Sequence, residues 1–372
     1  MKLMQNIRML VWVALCSLMA LSPSVFAQNG TEGIQTTEGN NFWATFMSNN
    51  GANVDEATLR CCLYFTLTEV QSHDVTIVVE IGGVEYDRVT IPAGQSYAKM
   101  EDITPSLAYI PINDVTKEEQ EMIVPKGIHA YSLNPNDKFG CYGYCRVGAE
   151  GSTRQDAMLI LPKDGLGKEY IIQTYWTASS ARSTEFAVVA TENDTKVEIV
   201  PSVPTRSEKE AYSTITITLD AGEAYLVPSA RFGQNVTVDL SGSTICASKP
   251  VAVFTGNESE KMPISDAYST NYFMEQMLPI SYWGTEFYFA KAAKTLENRY
   301  NISAAFDGTV VKLYRANETM AQEQTYTLQQ GQSLFQAGVG EGFLKLPSTF
   351  TTAYIETSKP VICYHYLTSG AA

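Results

Sequence analysis

Thr214-Ile215-Thr216-Ile217-Thr218-Leu219-Asp220-Ala221-Gly222-Glu223 alternates polar and apolar side chains without a break, then runs into a glycine turn. A period of two sends every apolar side chain to one face, the signature of a half-buried antiparallel strand. Val236-Thr237-Val238-Asp239-Leu240 alternates in the same way. The strand-into-glycine turn occurs twice more, as Val89-Thr90-Ile91-Pro92-Ala93-Gly94-Gln95 and as Tyr326-Thr327-Leu328-Gln329-Gln330-Gly331-Gln332. Turn residues recur about every 8–12 positions, which favours a sandwich or barrel over alternating strand and helix.

Three further elements surround that turn. A glycine-led aromatic strand opens each copy: Gly39-Asn40-Asn41-Phe42-Trp43, Gly167-Lys168-Glu169-Tyr170 and Gly284-Thr285-Glu286-Phe287-Tyr288. Next come paired β-rich runs about a polar turn, Glu185–Ala190 with Lys196–Val200 and Tyr300–Ala304 with Val310–Tyr314. The first copy offers Val75–Ile81 before Gly82-Gly83. The last element is Ser248-Lys249-Pro250-Val251 and Ser358-Lys359-Pro360-Val361, with Ser132-Leu133-Asn134-Pro135 as a looser version. Proline lacks an N–H and fixes φ, so it suits a strand entry. From Gly39 to Gly94 and from Gly167 to Gly222 the spacing is 55 residues; from Gly284 to Gly331 it is 47. The expected architecture is therefore all-β, with tandem antiparallel sandwich-like modules in three internal repeats at 38–155, 156–265 and 278–370. An insertion at about 103–125 holds the best helix candidate, Thr116 to Met122, with Thr116 and Glu119 as a capping box. Asn257 to Met277 reads as a long connection carrying Tyr268, Tyr272 and Phe273.

Residues 1–27 carry Lys2 and Arg8, an apolar run from Met9 to Leu21, and Val25-Phe26-Ala27. This is a secretory signal cleaved after Ala27, and the apolar run is too short to span a bilayer. Leu15 before Cys16 argues against a lipid anchor there. The formal net charge of −14 becomes more negative when Lys2 and Arg8 leave with the signal. An acidic chain is a poor match for nucleic acid or for an anionic membrane surface. With 45% apolar and 18% charged residues the chain is globular.

The exported part holds Cys61, Cys62, Cys141, Cys145, Cys246 and Cys363, an even number that permits disulfides. On one straight strand Cys141 and Cys145 stand too far apart to bond, and Cys61 and Cys62 point to opposite faces. No CxxC occurs, and His73, His129 and His365 lack ligand spacing, so no metal site and no cofactor are expected. Three scattered histidines give no nucleophile–base–orienter arrangement, and there is no Gly-x-Ser-x-Gly elbow. Glu118, Glu119 and Glu121 read as a solvated helix face. The Glu192-Asn193-Asp194 turn lacks calcium-loop spacing. Gly338-Val339-Gly340-Glu341-Gly342 lacks the following helix a phosphate loop needs. No catalytic residue is assigned. The aromatics, 21 Tyr, 15 Phe and 4 Trp, serve cores, protein-binding hot spots or sugar platforms. Alternation puts most of them in the core, and the ligand-binding subset has no numbers at this level.

Thr191-Glu192-Asn193-Asp194-Thr195-Lys196-Val197-Glu198-Ile199, the Ala221-Gly222-Glu223 turn, both Ser-Lys-Pro-Val steps, and Leu161-Pro162 and Leu278-Pro279 before the glycine-led strands together resemble one family. It is the family named for the N-terminal region of the IgG Fc-binding protein, and the resemblance runs over about residues 38–370. It implies binding to a host or surface glycoprotein, immunoglobulin Fc or a mucin among them, by a secreted or cell-surface chain of bacterial type. The expected function is non-catalytic binding or adhesion. The alternatives are a structural spacer presenting a further C-terminal domain and, last, a glycan-active enzyme with two acids in a cleft between modules.

Overall fold

The computed structural model describes residues 36–49, 57–112, 120–148, 153–177, 182–231, 238–261, 270–290, 298–315, 322–334, 344–345 and 352–367. Residues 1–27 with Cys16, Thr116–Glu119, Tyr268 and Gly338–Gly342 lie outside them. Among the described residues, no helix is long and apolar enough to cross a membrane.

Among the described residues the regular structure is nearly all antiparallel strand. Its first stretch holds β1 (Asn41–Ala44), β2 (Arg60–Thr66), β3 (Val75–Ile81), β4 (Val84–Ile91), β5 (Tyr97–Ile103), β6 (Ile123–Val124), β7 (Ile128–Ser132), β8 (Gly140–Val147) and β9 (Arg154–Ile160). The second holds β10 (Gly167–Ile171), β11 (Thr184–Ala190), β12 (Thr195–Val200), β13 (Ile215–Leu219), β14 (Ala224–Pro228), β15 (Thr244–Glu260) and β16 (Asn271–Gln276). The third holds β17 (Gly284–Ala290), β18 (Asn298–Ala304), β19 (Thr309–Arg315), β20 (Gln322–Leu328), β21 (Leu344–Lys345) and β22 (Thr352–Leu367).

In the first stretch two four-stranded sheets, β1-β7-β3-β4 and β5-β2-β8-β9, enclose a core containing Phe42, Leu63, Phe65, Ile77 and Phe139. The second stretch pairs its strands in the same order, with one change: β15 does the work of both β7 and β8. Its residues 244–247 pair with β12 and residues 251–257 with β11. The third follows suit, since β22 pairs with β19 over 353–357 and with β18 over 361–367.

This explains the Ser-Lys-Pro step. Residues 248–250 and 358–360 fall where the long strand leaves one sheet and has yet to join the other, so the missing proline N–H breaks no ladder there. The serine and lysine tie the junction to the turn beside it. Ser248 Oγ accepts from the Lys196 amide at 2.9 Å and Ser358 Oγ from the Val310 amide at 2.8 Å. Lys249 donates to the Asn193 carbonyl and Lys359 to the Asp307 carbonyl.

The glycine turns also share their bonding. Gly94, Gly222 and Gly331 sit at φ of +81°, +84° and +70°, a region that side chains with a Cβ rarely adopt. Their amides donate to the carbonyls of Gln71, Ala190 and Ala304. The residue before each glycine donates to a turn side chain: Ala93 to Asp74, Ala221 to Asn193 and Gln330 to Asp307. The Asn and Asp of these polar turns are fastening the sandwich ends, which is the ordinary use of such residues.

Several expectations need correction. Val75–Ile81 corresponds to the second member of the paired runs, because β3 pairs with β7 as β12 pairs with β15. The first member is β2, whose Cys61-Cys62-Leu63-Tyr64-Phe65 run hides its period because both faces are apolar or aromatic. In the first stretch Ser132-Leu133-Asn134-Pro135 leads into a true loop, with Ser132 Oγ donating to the Asn134 carbonyl at 2.9 Å. Residues 120–122 are not helical, and Glu121 sits at φ 55°; the described α-helix is instead the single turn Pro105–Ala108. Within the long connection read from Asn257 to Met277, the described residues are mostly strand, the end of β15 and then β16.

The sandwiches are packed on one another. Ala187, Val189, Ala224, Leu226, Ala252 and Phe254 of the second belong to the same buried cluster as Phe46, Met47 and Tyr109 of the first. Every residue of β11 is consequently buried. The third joins the second through Ala305 and Ile362. The two junctions repeat the same close approaches. A Cβ on Gly39 would stand 2.5 Å from Pro162, and one on Gly167 would stand 2.4 Å from Pro279. Likewise a Cβ on Gly127 would meet the Gly222 carbonyl at 2.7 Å, and one on Gly242 the Gly331 carbonyl at 2.6 Å.

Candidate binding surface

Residues directly opposite each other on neighbouring strands share a face. On the β5-β2-β8-β9 sheet, Tyr64 lies opposite Tyr142, Cys62 opposite Tyr144, and Thr66 opposite Tyr97. Cys61, Leu63, Phe65, Cys141 and Cys145 point the other way into the core. Four tyrosines therefore stand on the outer face of one sheet. Tyr97 is 64% exposed and Tyr142 40%. Tyr64 and Tyr144 meet edge to face at 6.5 Å, and the Tyr144 hydroxyl donates to Gln155 Oε1 at 2.8 Å. Partial burial pushes the Tyr144 phenol up, with Arg146 opposing the shift.

The register places other residue types at the matching positions of the second sandwich. Ala187 stands where Tyr64 does, Phe254 where Tyr142 does and Gly256 where Tyr144 does. Those residues are packed against the first sandwich, whose Met47 methyl would lie 3.1 Å from a Cβ on Gly256. In the third sandwich the same face is seated on the second: Tyr366 packs on Tyr175 at 5.5 Å and Tyr364 donates to the Met277 sulfur. Among the described residues, only the first sandwich leaves this face open. Rigid, amphipathic tyrosines on an open surface combine contact area with hydrogen bonding at small entropic cost, a chemistry suited to a protein or glycan surface. Periodicity could mark β8 as alternating; it had no means of showing which end of the stack stays uncovered.

A second tyrosine group lies on the third sandwich. Tyr288 stacks on Tyr354 at 4.7 Å, Tyr354 meets Tyr314 at 5.5 Å, and Tyr314 donates to Glu356. Tyr288 is 73% exposed, whereas Trp43 and Ile171, at the same register, are buried.

The other residues singled out in the sequence have structural roles. His73 pairs with Asp137 at 3.0 Å across a surface turn. His129 stacks on Trp43 at 4.0 Å and contacts Glu80 and Asn41, and burial lowers its pKa. His365 stacks on Tyr300 at 4.4 Å. Cys141 and Cys145 lie on one strand, Cys61 and Cys62 on opposite faces of another, and no disulfide joins the described cysteines. Among the described residues no cluster of three metal-ligating side chains occurs.

Between the first two sandwiches lies a buried acidic group the sequence did not signal. Glu258 is clamped by Arg231 at 3.0 Å, by the Ser183 amide at 2.7 Å and by the Ser48 hydroxyl at 3.1 Å. Glu185, at the sheet position that Cys62 holds in the first sandwich, is fully buried, and neither carboxylate oxygen has a hydrogen bond of ordinary geometry. Burial holds its carboxyl well above the usual range, with the Glu258 charge adding to the shift.

A family model described as IgGFc binding protein matches residues 156–372. The chain belongs to the IgGFc-binding protein family. The match takes in the second and third sandwiches, so the tyrosine face of the first lies outside it. A 155-residue stretch, 42% of the chain, is also 29% identical to the IgGFc-binding protein of Homo sapiens. The chain matches 3% of that protein's length.

Proposed function

We propose that this chain is an exported, non-catalytic binding protein of three homologous modules, and that the first module's tyrosine face engages a glycoprotein partner such as immunoglobulin Fc or a mucin. The observation that carries the reading is the open face itself: Tyr64, Tyr97, Tyr142 and Tyr144 occupy a sheet surface whose counterparts in the other sandwiches are spent on packing. Family membership supports binding as the general activity.

The test is binding of the secreted chain to immobilised immunoglobulin Fc and to mucin, comparing the parent with a Tyr64→Ala, Tyr142→Ala double variant. Losing two central aromatic contacts is expected to weaken binding about tenfold or more, with unchanged thermal unfolding. Undiminished binding by the double variant would remove the tyrosine face from the proposal. The repeated glycine–proline and glycine–glycine approaches favour a second reading, a stiff spacer, which gains if neither partner is captured.

A further inference from the structure

A cleft of about 650 Å³ opens where the three sandwiches meet, lined by Leu159, Leu161, Leu278 and Ile362 with Glu275, Gln276 and Tyr364 among its polar residues. It draws on β9, on β16 and the residues after it, and on β22. Three observations make it a site rather than a packing gap. Glu275 alternates outward on β16, between buried Met274 and Gln276, and presents its carboxylate to the cleft. Gln276 is 5% exposed, and its Oε1 accepts from the Leu161 amide at 2.6 Å, which leaves Nε2 buried without a hydrogen-bond partner. A buried donor of this kind costs stability unless something accepts from it. The walls around these two groups are aliphatic. Mostly apolar pockets with a few placed polar groups are the usual form of ligand sites.

We propose that this cleft binds a primary ammonium carried on an aliphatic stem, as in a lysine side chain or a free diamine, with Glu275 pairing the charge and the leucines and Ile362 covering the stem. The net charge of −14 favours a cation over an anion. Glu275 is the one carboxylate in the lining, because neighbouring Asp156 is engaged by the backbone amides of Met274 and Ala157, each at 2.9 Å. The inference does not rest on the tyrosine face, although Leu159 stands directly opposite Tyr142 and the two features adjoin.

Surrounding protein raises the Glu275 carboxyl to about 7, through burial first and the Asp156 charge second, even though its side chain remains open to the cleft. Asp156 on β9 is itself raised to about 6, and Tyr364 and Cys363 on β22 stay neutral across this range. Binding of a cation needs ionised Glu275, so affinity should rise from pH 6 to pH 8. Because Asp156 titrates in the same window, the informative quantity is the profile of the parent minus that of Glu275→Gln.

The experiment is calorimetric titration of the secreted chain with 1,5-diaminopentane and with an N-acetylated, C-amidated lysine tripeptide. Glu275→Gln should weaken both probes about tenfold or more and flatten the pH difference, and Leu159→Trp, which fills the cleft, should abolish both. Tighter binding of the tripeptide identifies a lysine side chain as the occupant; equal or tighter binding of the diamine identifies a free amine. Parent-like affinity in Glu275→Gln, or heat from neither probe at millimolar concentration, would overturn the assignment. Tyr64→Ala should leave diamine binding unchanged, which separates this result from the fate of the tyrosine face.

Discussion

The outer faces of the first and second sandwiches have the same strand order and the same register but opposite fates. In the second, Ala187, Val189, Ala252 and Phe254 are fully buried against the first sandwich. In the first, Tyr64, Tyr97, Tyr142 and Tyr144 face outward. Small and aliphatic side chains let two sheets approach, whereas a row of tyrosines with hydroxyls to satisfy does not. Stacked modules need an end that resists further stacking, and a polar outer face on a terminal module supplies it. One scaffold position can therefore serve as adhesive or as exposed surface according to residue type.

Four substitutions break or sharpen that contrast. The largest effect is expected from Phe254→Ala, which empties a fully buried site between the sandwiches; chemical denaturation should report a loss of about 3–5 kcal/mol. Ala187→Tyr writes the first module's residue into the second module's buried face. Overpacking there should cost about 1–3 kcal/mol by the same measurement. Glu185→Gln tests the buried acid between the two sandwiches. The folded state holds the Glu185 proton more tightly than the unfolded chain, because burial raises its pKa. Stability therefore falls as pH climbs from the unfolded carboxyl value of about 4.3 toward the folded one. The glutamine variant should lose that decline and melt higher than the parent at pH 7.5. The smallest effect belongs to Tyr142→Ala, at the register position of Phe254 but on the open face. Its unfolding free energy should stay within about 0.5 kcal/mol of the parent. A cost there comparable to that of Phe254→Ala would show that the tyrosine face is covered after all.

Much of the fold was readable because its signals are local. Alternation at Thr214–Leu219 became β13, and the glycine turns took the positive φ that only glycine accepts readily. The Ser-Lys-Pro step was legible as a strand entry, and its meaning turned out to be wider, since the serine and lysine hold a turn while the proline fills a gap between ladders. β2 was harder than β11, whose Glu185–Ala190 run was readable as a strand. Apolar and aromatic side chains on both faces of β2 hide its alternation, although its tyrosine face is open. The candidate surfaces were illegible for the same cause. Nothing near Tyr64 tells it from a core tyrosine, and Glu275 meets Leu159 and Ile362 through contacts between distant parts of the chain.

The uninterrupted strand β15 also has a mechanical meaning. It enters one sheet at Thr244, leaves it at Ala247, and is hydrogen-bonded into the opposing sheet from Val251 onward. Tension along this strand passes through two shear-loaded clamps in series, joined by three residues of backbone. The first sandwich joins its equivalent strands through the loop from Leu133 to Phe139, which can pay out slack before its second sheet takes load. Under a pulling force, the second and third modules would therefore respond as stiff links, and the first as the compliant one at the tyrosine-bearing end.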